Sequence, residues 1–144
     1  MNKEILPAVA AIIFNSQGEV LLQKRKDRNK WNVISGHIEF GESAEQAMLR
    51  EIKEEIDTEA RIVRLIGIYS LPEFQTYTYD DRTVHYVTVF FEAHLLTPLD
   101  ENLTNGETKN IKFFPVDATP DDMDLINPNW LRDALDRRSQ PYIR

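Results

Sequence analysis

Residues 43–56, SAEQAMLREIKEEI, switch the chain from strand-like alternation to a period near 3.6. Met48, Leu49, Ile52 and Ile56 recur at that spacing, so the segment reads as a helix with one buried face. Ser43 and Gln46, three apart, form a capping box that ties up orphan N–H groups at its start. Beside the apolar stripe stand Glu51, Glu54 and Glu55, at i, i+3 and i+4, over an arc of about 100°. These like charges repel one another, and they lie near the helix C-terminus, where the macrodipole disfavours anions. A divalent cation relieves both costs, and hard Mg²⁺ prefers carboxylate oxygens and water. An ordinary solvated acidic face is the other reading of the same pattern.

The remainder of the chain reads mostly as strands. Residues 5–14 and 19–25 are expected to form a hairpin through Asn15-Ser16-Gln17-Gly18. The first apolar run has the look of a signal h-region, but no small-residue cleavage site follows it. Lys24 to Lys30 is a basic loop, either a solvated connection or a phosphate-facing edge. Residues 31–39 suggest a short strand entering a Gly-rich turn, and residues 60–71 return to strand character. Val84 to Leu96 is the longest strand candidate, with Val87, Val89, Phe91, Ala93 and Leu95 on one face. A further strand over 111–116 ends at Pro115. The last helix is expected to start at Asn127 as N-cap with Pro128 first in the helix, burying Trp130, Leu131, Ala134 and Leu135. Strands around two helices imply an α/β fold, a mixed sheet with helices on its faces.

A length of 144 residues with 42% hydrophobic content suits one core, so a single domain over 1–144 is expected. The absence of cysteine rules out disulfides, Cys-ligated zinc and thiol catalysis, and fits a reducing compartment. No apolar stretch approaches the roughly 20 residues of a membrane span. A formal net charge of −7 argues against a duplex nucleic-acid partner, which would call for a basic face.

The segment GHIEFGESAEQAMLREIKEEIDT places Gly36, Glu42, Arg50, Glu51, Ile52, Glu54 and Glu55 in one register. It resembles the Nudix box, G-x5-E-x7-R-E-U-x-E-E-x-G-U, where U is bulky and aliphatic. Asp57 stands at the box's last Gly and Thr58 at its final aliphatic position. Asp visits positive φ more readily than most residues, so only a costlier helix end is expected. The resemblance implies a Nudix fold, an α/β/α sandwich around a mixed β-sheet, and a cytoplasmic hydrolase that cleaves a phosphoanhydride bond. By similarity, Glu51, Glu54 and Glu55 would bind Mg²⁺ or Mn²⁺, the Gly36 carbonyl would be a further ligand, and Glu42 and Arg50 would be a structural ion pair. Its implied substrate is a nucleoside diphosphate linked to another moiety, with a nucleotide sugar such as ADP-ribose ahead. The alternatives are a nucleoside triphosphate pyrophosphohydrolase that sanitises the pool and a non-catalytic nucleotide sensor. A homodimer is an assembly the family allows.

The proton acceptor in such chemistry is a box glutamate, Glu54 or Glu55, or a loop glutamate, for which Glu107 is the candidate. Arg25 and His37 are candidate phosphate-facing groups, with surface roles as the alternative. The Tyr-rich stretch from Tyr69 to Tyr86 adds Phe74 and Arg82 as substrate contacts, or else packs on itself over a hairpin. His85 and His94 fall on opposite strand faces and do not form a pair, while Phe113 and Phe114 read as core or dimer contacts.

Overall fold

The computed structural model describes residues 2–144; Met1, the first residue of the expected domain, lies outside them. Its centre is a pair of long parallel strands, β1 (Asn2–Ile13) and β7 (Arg82–Leu95), aligned from Asn2 opposite Arg82 to Ile13 opposite Ala93. Along β1, Val9, Ala11 and Ile13 enter one core while Ala10 and Ile12 enter another. A strand buried on both faces needs an apolar run rather than alternation, which is why AVAAII reads as continuous.

Strands β4 (Ile34–His37), β5 (Ala60–Tyr69), β6 (Thr76–Thr78) and β9 (Tyr142–Ile143) complete a mixed sheet in the order β4-β1-β7-β5-β9, with β6 also on β7. A second, antiparallel sheet has the order β3-β2-β8, built from β3 (Trp31–Asn32), β2 (Val20–Arg25) and β8 (Thr108–Phe114). Helix α1 (Ala44–Ile56) covers the first core through Met48, Ile52 and Ile56. Short α2 (Pro72–Gln75) leads into β6, and α3 (Trp130–Leu135) closes the second core with Trp130 and Ala134. This is the expected α/β sandwich around a mixed sheet. Among the described residues no helix is long and apolar enough to cross a membrane.

Several local expectations are corrected. The turn at 15–18 forms, with the Asn15 side chain accepting from the N–H groups of Gln17 and Glu19 and Gly18 at φ 76°. Yet β1 and β2 share only the bridge Phe14–Val20 and then part into different sheets, so no hairpin ladder results. The strand expected at 31–39 divides at Val33 between the two sheets. Helix α3 begins after Asn129, because Asn127 instead closes the preceding turn by accepting from the Asn129 N–H at 2.9 Å. Leu135 is exposed, and Asp133 is the buried residue, held by Tyr69 and Arg144.

The end of α1 follows the expected departure from the box. Asp57 adopts φ 52°, ψ 42°, donates its N–H to Lys53 O, and sets its carboxylate 3.1 Å from Lys53 Nζ. Thr58 is 1% exposed and its hydroxyl has no hydrogen-bond partner among the described residues. A buried hydroxyl without a partner costs about 1–3 kcal/mol. Thr58→Val, which keeps the shape, is therefore expected to raise the melting temperature by about 3 °C, roughly 1 kcal/mol for a domain of this size. An unchanged or lower melting point would show that the hydroxyl is satisfied.

Candidate active site

The site lies where the C-terminal end of β4 runs through a turn into α1. Gly41, at φ 90°, lets the turn reverse, and Glu42 accepts from the Glu39 N–H at 2.9 Å. Arg50 reaches back from α1 and ties this turn down. Its Nε and Nη2 bond both Glu42 oxygens, at 2.7 and 3.0 Å, and Nη2 also bonds the His37 carbonyl at 3.0 Å. The bidentate fork fixes turn and helix as one unit.

The three box carboxylates do not behave alike. Glu51 is half-buried, its carboxylate lying on the Cα of Gly36, where an added Cβ would be well inside contact distance. Glu55 is buried, with Gln23 Nε2 donating to its Oε2 at 2.8 Å and Arg25 Nη1 at 4.0 Å from its Oε1. Burial, then the charge of Glu51, push the Glu55 carboxyl up to about 8. Burial also raises Glu51, against the lowering effect of Arg50. Glu54 instead points outward, exposed, with Arg50 Nη1 bridging it to Glu51 at 3.1 and 2.9 Å. Among the described residues, therefore, no three acidic or histidine side chains close on one point. The shared arc of the sequence holds for the backbone; the Arg50 bridge draws the Glu54 head group away from it.

A divalent cation fits what is present. The buried Glu55 and the half-buried Glu51 lie together with raised proton affinity, and hard oxygen donors are the ligands Mg²⁺ takes. The glycine beneath them leaves room for the Glu51 head group that any side chain would take.

From Gly36 a cleft of about 320 Å³ runs over β1 and β7. Arg25, His37 and Arg82 line it, as do Tyr77, Tyr79 and Tyr86. His37 stacks on Tyr86 at 5.4 Å, Tyr79 and Tyr86 join hydroxyls at 2.9 Å, and Arg82 lies over Tyr79 at 5.7 Å. Burial and the Arg82 charge lower the His37 pKa, so at neutral pH it is an uncharged donor or acceptor. Phe74 does not line the cleft. The helical turn α2 aims its neighbour Gln75 inward instead, where Nε2 donates to Thr88 Oγ1 at 2.7 Å. Glu107 is exposed near the mouth, with Oε2 3.9 Å from Arg25 Nη1. In the basic loop, Arg25 and Arg28 line the cleft, while Lys26 is exposed. His85 bonds the Ser70 carbonyl and His94 is exposed, so they stay apart.

The family model described as NUDIX domain matches residues 4–134. The chain belongs to the Nudix family. A Bacillus subtilis (strain 168) protein named "Putative 8-oxo-dGTP diphosphatase" is 44% identical over 64 residues, 44% of this chain and 43% of that one. An RNA pyrophosphohydrolase of Haemophilus influenzae (strain PittEE) is 41% identical over 73 residues, 46% of this chain and 37% of its own. Both alignments thus span less than half of the relatives' length. Among solved structures, an ADP-ribose pyrophosphatase from Streptococcus suis 89-1591 superposes with TM-score 0.71 at 21% identity, covering 96% of this chain and 97% of that one. A UDP-X diphosphatase gives TM-score 0.73 at 24% identity, over 89% of this chain and 60% of the other. These likenesses establish the Nudix fold.

Sequence reasoning passed over Gln23, Thr108 and Asp124. Gln23 follows VLL and precedes Lys24, so it reads as the polar end of a strand, although it is 1% exposed. Asp124 is buried by pairing with Arg28, a contact 96 residues apart in sequence that no local pattern announces.

Proposed function

We propose that this Nudix hydrolase cleaves a phosphoanhydride bond in a nucleoside diphosphate linked to another moiety, with a nucleotide sugar such as ADP-ribose favoured. The observation that carries the reading is the buried Glu55 beside the half-buried Glu51, whose head group lies on Gly36 at one end of an Arg- and Tyr-lined cleft. Glu51 and Glu55 would hold Mg²⁺ or Mn²⁺, joined by the Gly36 carbonyl and by Glu54 once it turns from Arg50. A bound cation of this kind neutralises phosphate charge and lowers the pKa of an attacking water. Glu42 and Arg50 keep the turn and α1 in register. Arg25 and Arg82 supply guanidinium groups for phosphate oxygens, and the tyrosines with His37 offer faces for a base or sugar. Glu54 and Glu107 are the exposed carboxylates able to take the proton of the attacking water, with Glu107 as the loop base. The whole chain, 1–144, works as one domain, in the cytoplasm where free nucleotides are found, and a homodimer is its assembly to test.

A second reading, a nucleoside triphosphate pyrophosphohydrolase, draws support from the name of the Bacillus subtilis relative. The products separate the two. Incubation with ADP-ribose, other nucleotide sugars, and ordinary and oxidised triphosphates, in Mg²⁺ and in EDTA, is expected to yield nucleoside monophosphate plus sugar phosphate in Mg²⁺ alone. Release of inorganic pyrophosphate from triphosphates would establish the second reading. Tight binding of one compound without turnover would overturn both in favour of a sensor.

A further inference from the structure

Gln23 is fourth in β2, following Val20, Leu21 and Leu22 into the interior. A buried primary amide brings two N–H donors and a carbonyl, each costly to leave unpaired. Here Nε2 donates to Glu55 Oε2 at 2.8 Å, and Oε1 accepts from Thr108 Oγ1 at 3.0 Å. Thr108 opens β8, the neighbour of β2, and is itself 1% exposed. Its N–H donates to Asn105 Oδ1 at 2.8 Å, and Asn105 Nδ2 donates to the Glu55 backbone carbonyl at 3.1 Å. The segment 105–108 therefore reaches Glu55 twice, once at its backbone and once through Gln23.

The two ends of an amide are nearly the same shape and opposite in function. Rotated by half a turn, Gln23 would set Oε1 against Glu55 Oε2, two acceptors at hydrogen-bonding distance. A hydroxyl can donate or accept, so the ionised Glu55, an acceptor only, selects this orientation, and the Thr108 hydroxyl, donating to Oε1, pins the far end of the amide. We infer that Thr108 and Gln23 are positioning residues that orient Glu55 for a divalent cation. Gln23 occupies Oε2 and leaves Oε1, on the Arg25 side, as the ligating oxygen. Neither residue lines the cleft. The inference rests on the metal reading given above. Partners that orient a metal-ligating carboxylate typically change metal affinity by about 10–100-fold when lost.

The test is binding of Mn²⁺ alone to the full chain, followed by the electron paramagnetic resonance of free Mn²⁺, for wild type, Thr108→Val and Thr108→Ser. Valine keeps the shape and lacks the hydroxyl; serine keeps the hydroxyl. Valine is expected to weaken Mn²⁺ binding by about tenfold or more, and serine to return it to within about twofold. In turnover, the metal concentration for half activation should rise in the valine variant while the substrate KM at saturating metal stays put. Binding by wild type that survives Thr108→Val unchanged overturns the inference alone. No Mn²⁺ binding by wild type overturns the metal reading and the inference with it. A second measurement needs no folded variant: the side-chain N–H pair of Gln23 in the ¹⁵N spectrum of the wild type should exchange slowly and shift on Mg²⁺ addition. A fast-exchanging or unresponsive pair overturns the proposal.

Discussion

Glu55→Gln is expected to lower kcat by about three orders of magnitude or more while making the metal-free chain more stable at neutral and alkaline pH. The loss of activity follows from taking the charge from a buried oxygen ligand; removing even partners of ligands costs about 10–100-fold. The gain in stability follows from proton linkage. In the unfolded chain this glutamate titrates near 4.5, and in the folded chain burial and Glu51 push it up to about 8. Between those values the folded state binds more protons than the unfolded one, so stability falls as pH rises. The contribution is fully present below about 4.5 and lost by the time pH passes about 8. At 1.36 kcal/mol per pH unit the upper bound is about 5 kcal/mol. Glutamine has the shape of the neutral acid and still accepts from Gln23, so its melting point should be flat where that of the wild type declines. The scan belongs between about pH 5.5 and 8.5. Asp133, lowered by Arg144 and Tyr69 against its burial, and Glu42, lowered by Arg50, contribute stability that is lost only in acid. Excess Mg²⁺ should lift the wild type at pH 8 and leave the glutamine variant nearly unmoved, since only the former binds it tightly in the folded state. Parallel melting curves for the two proteins would refute the buried, cation-seeking glutamate.

What was readable beforehand divides by sequence distance. The capping box, the stripe of Met48, Ile52 and Ile56, and the left-handed Asp57 depend on residues within one or two helical turns, and each stands in the structure as its spacing implied. The parting of β1 and β2 depends on β7 and β8, which arrive some 60 to 100 residues later and claim the two strands for different sheets. The start of α3 was misplaced because Asn127 can cap a helix or a turn, and the choice lies with the burial of Trp130. At the site, backbone placement was legible and head-group placement was not. Helical geometry puts Glu51, Glu54 and Glu55 on one side, but an ion pair with Arg50, four residues earlier, holds the Glu54 head group at the surface. Gln75 in place of Phe74 is a matter of one residue of phase in a helical turn only four residues long.

Gly36→Ala should separate the site from the fold. Gly36 pairs with Val9 in an antiparallel ladder and is not among the glycines at positive φ, so the backbone itself accepts alanine. The obstacle is the Glu51 head group, which occupies the space a Cβ needs. That head group is the free end of a flexible side chain, and it can swing aside at little cost to packing. Doing so breaks its 2.9 Å bond to Arg50 and its contact with Glu55, which dismantles the pair proposed to hold the cation. The expected result is a fall in kcat/KM of about 100-fold and a comparable loss of Mn²⁺ affinity, with a melting temperature within about 2 °C of wild type. Gly67→Ala is the opposite case. There the added Cβ meets the backbone of Tyr142, which cannot swing away without releasing β9 from β5. That variant should lose about 1–3 kcal/mol of stability and keep its activity per folded molecule. If Gly36→Ala instead melts early and binds Mn²⁺ as tightly as wild type when folded, Gly36 serves the sheet, and the seat it provides for Glu51 is incidental to the chemistry.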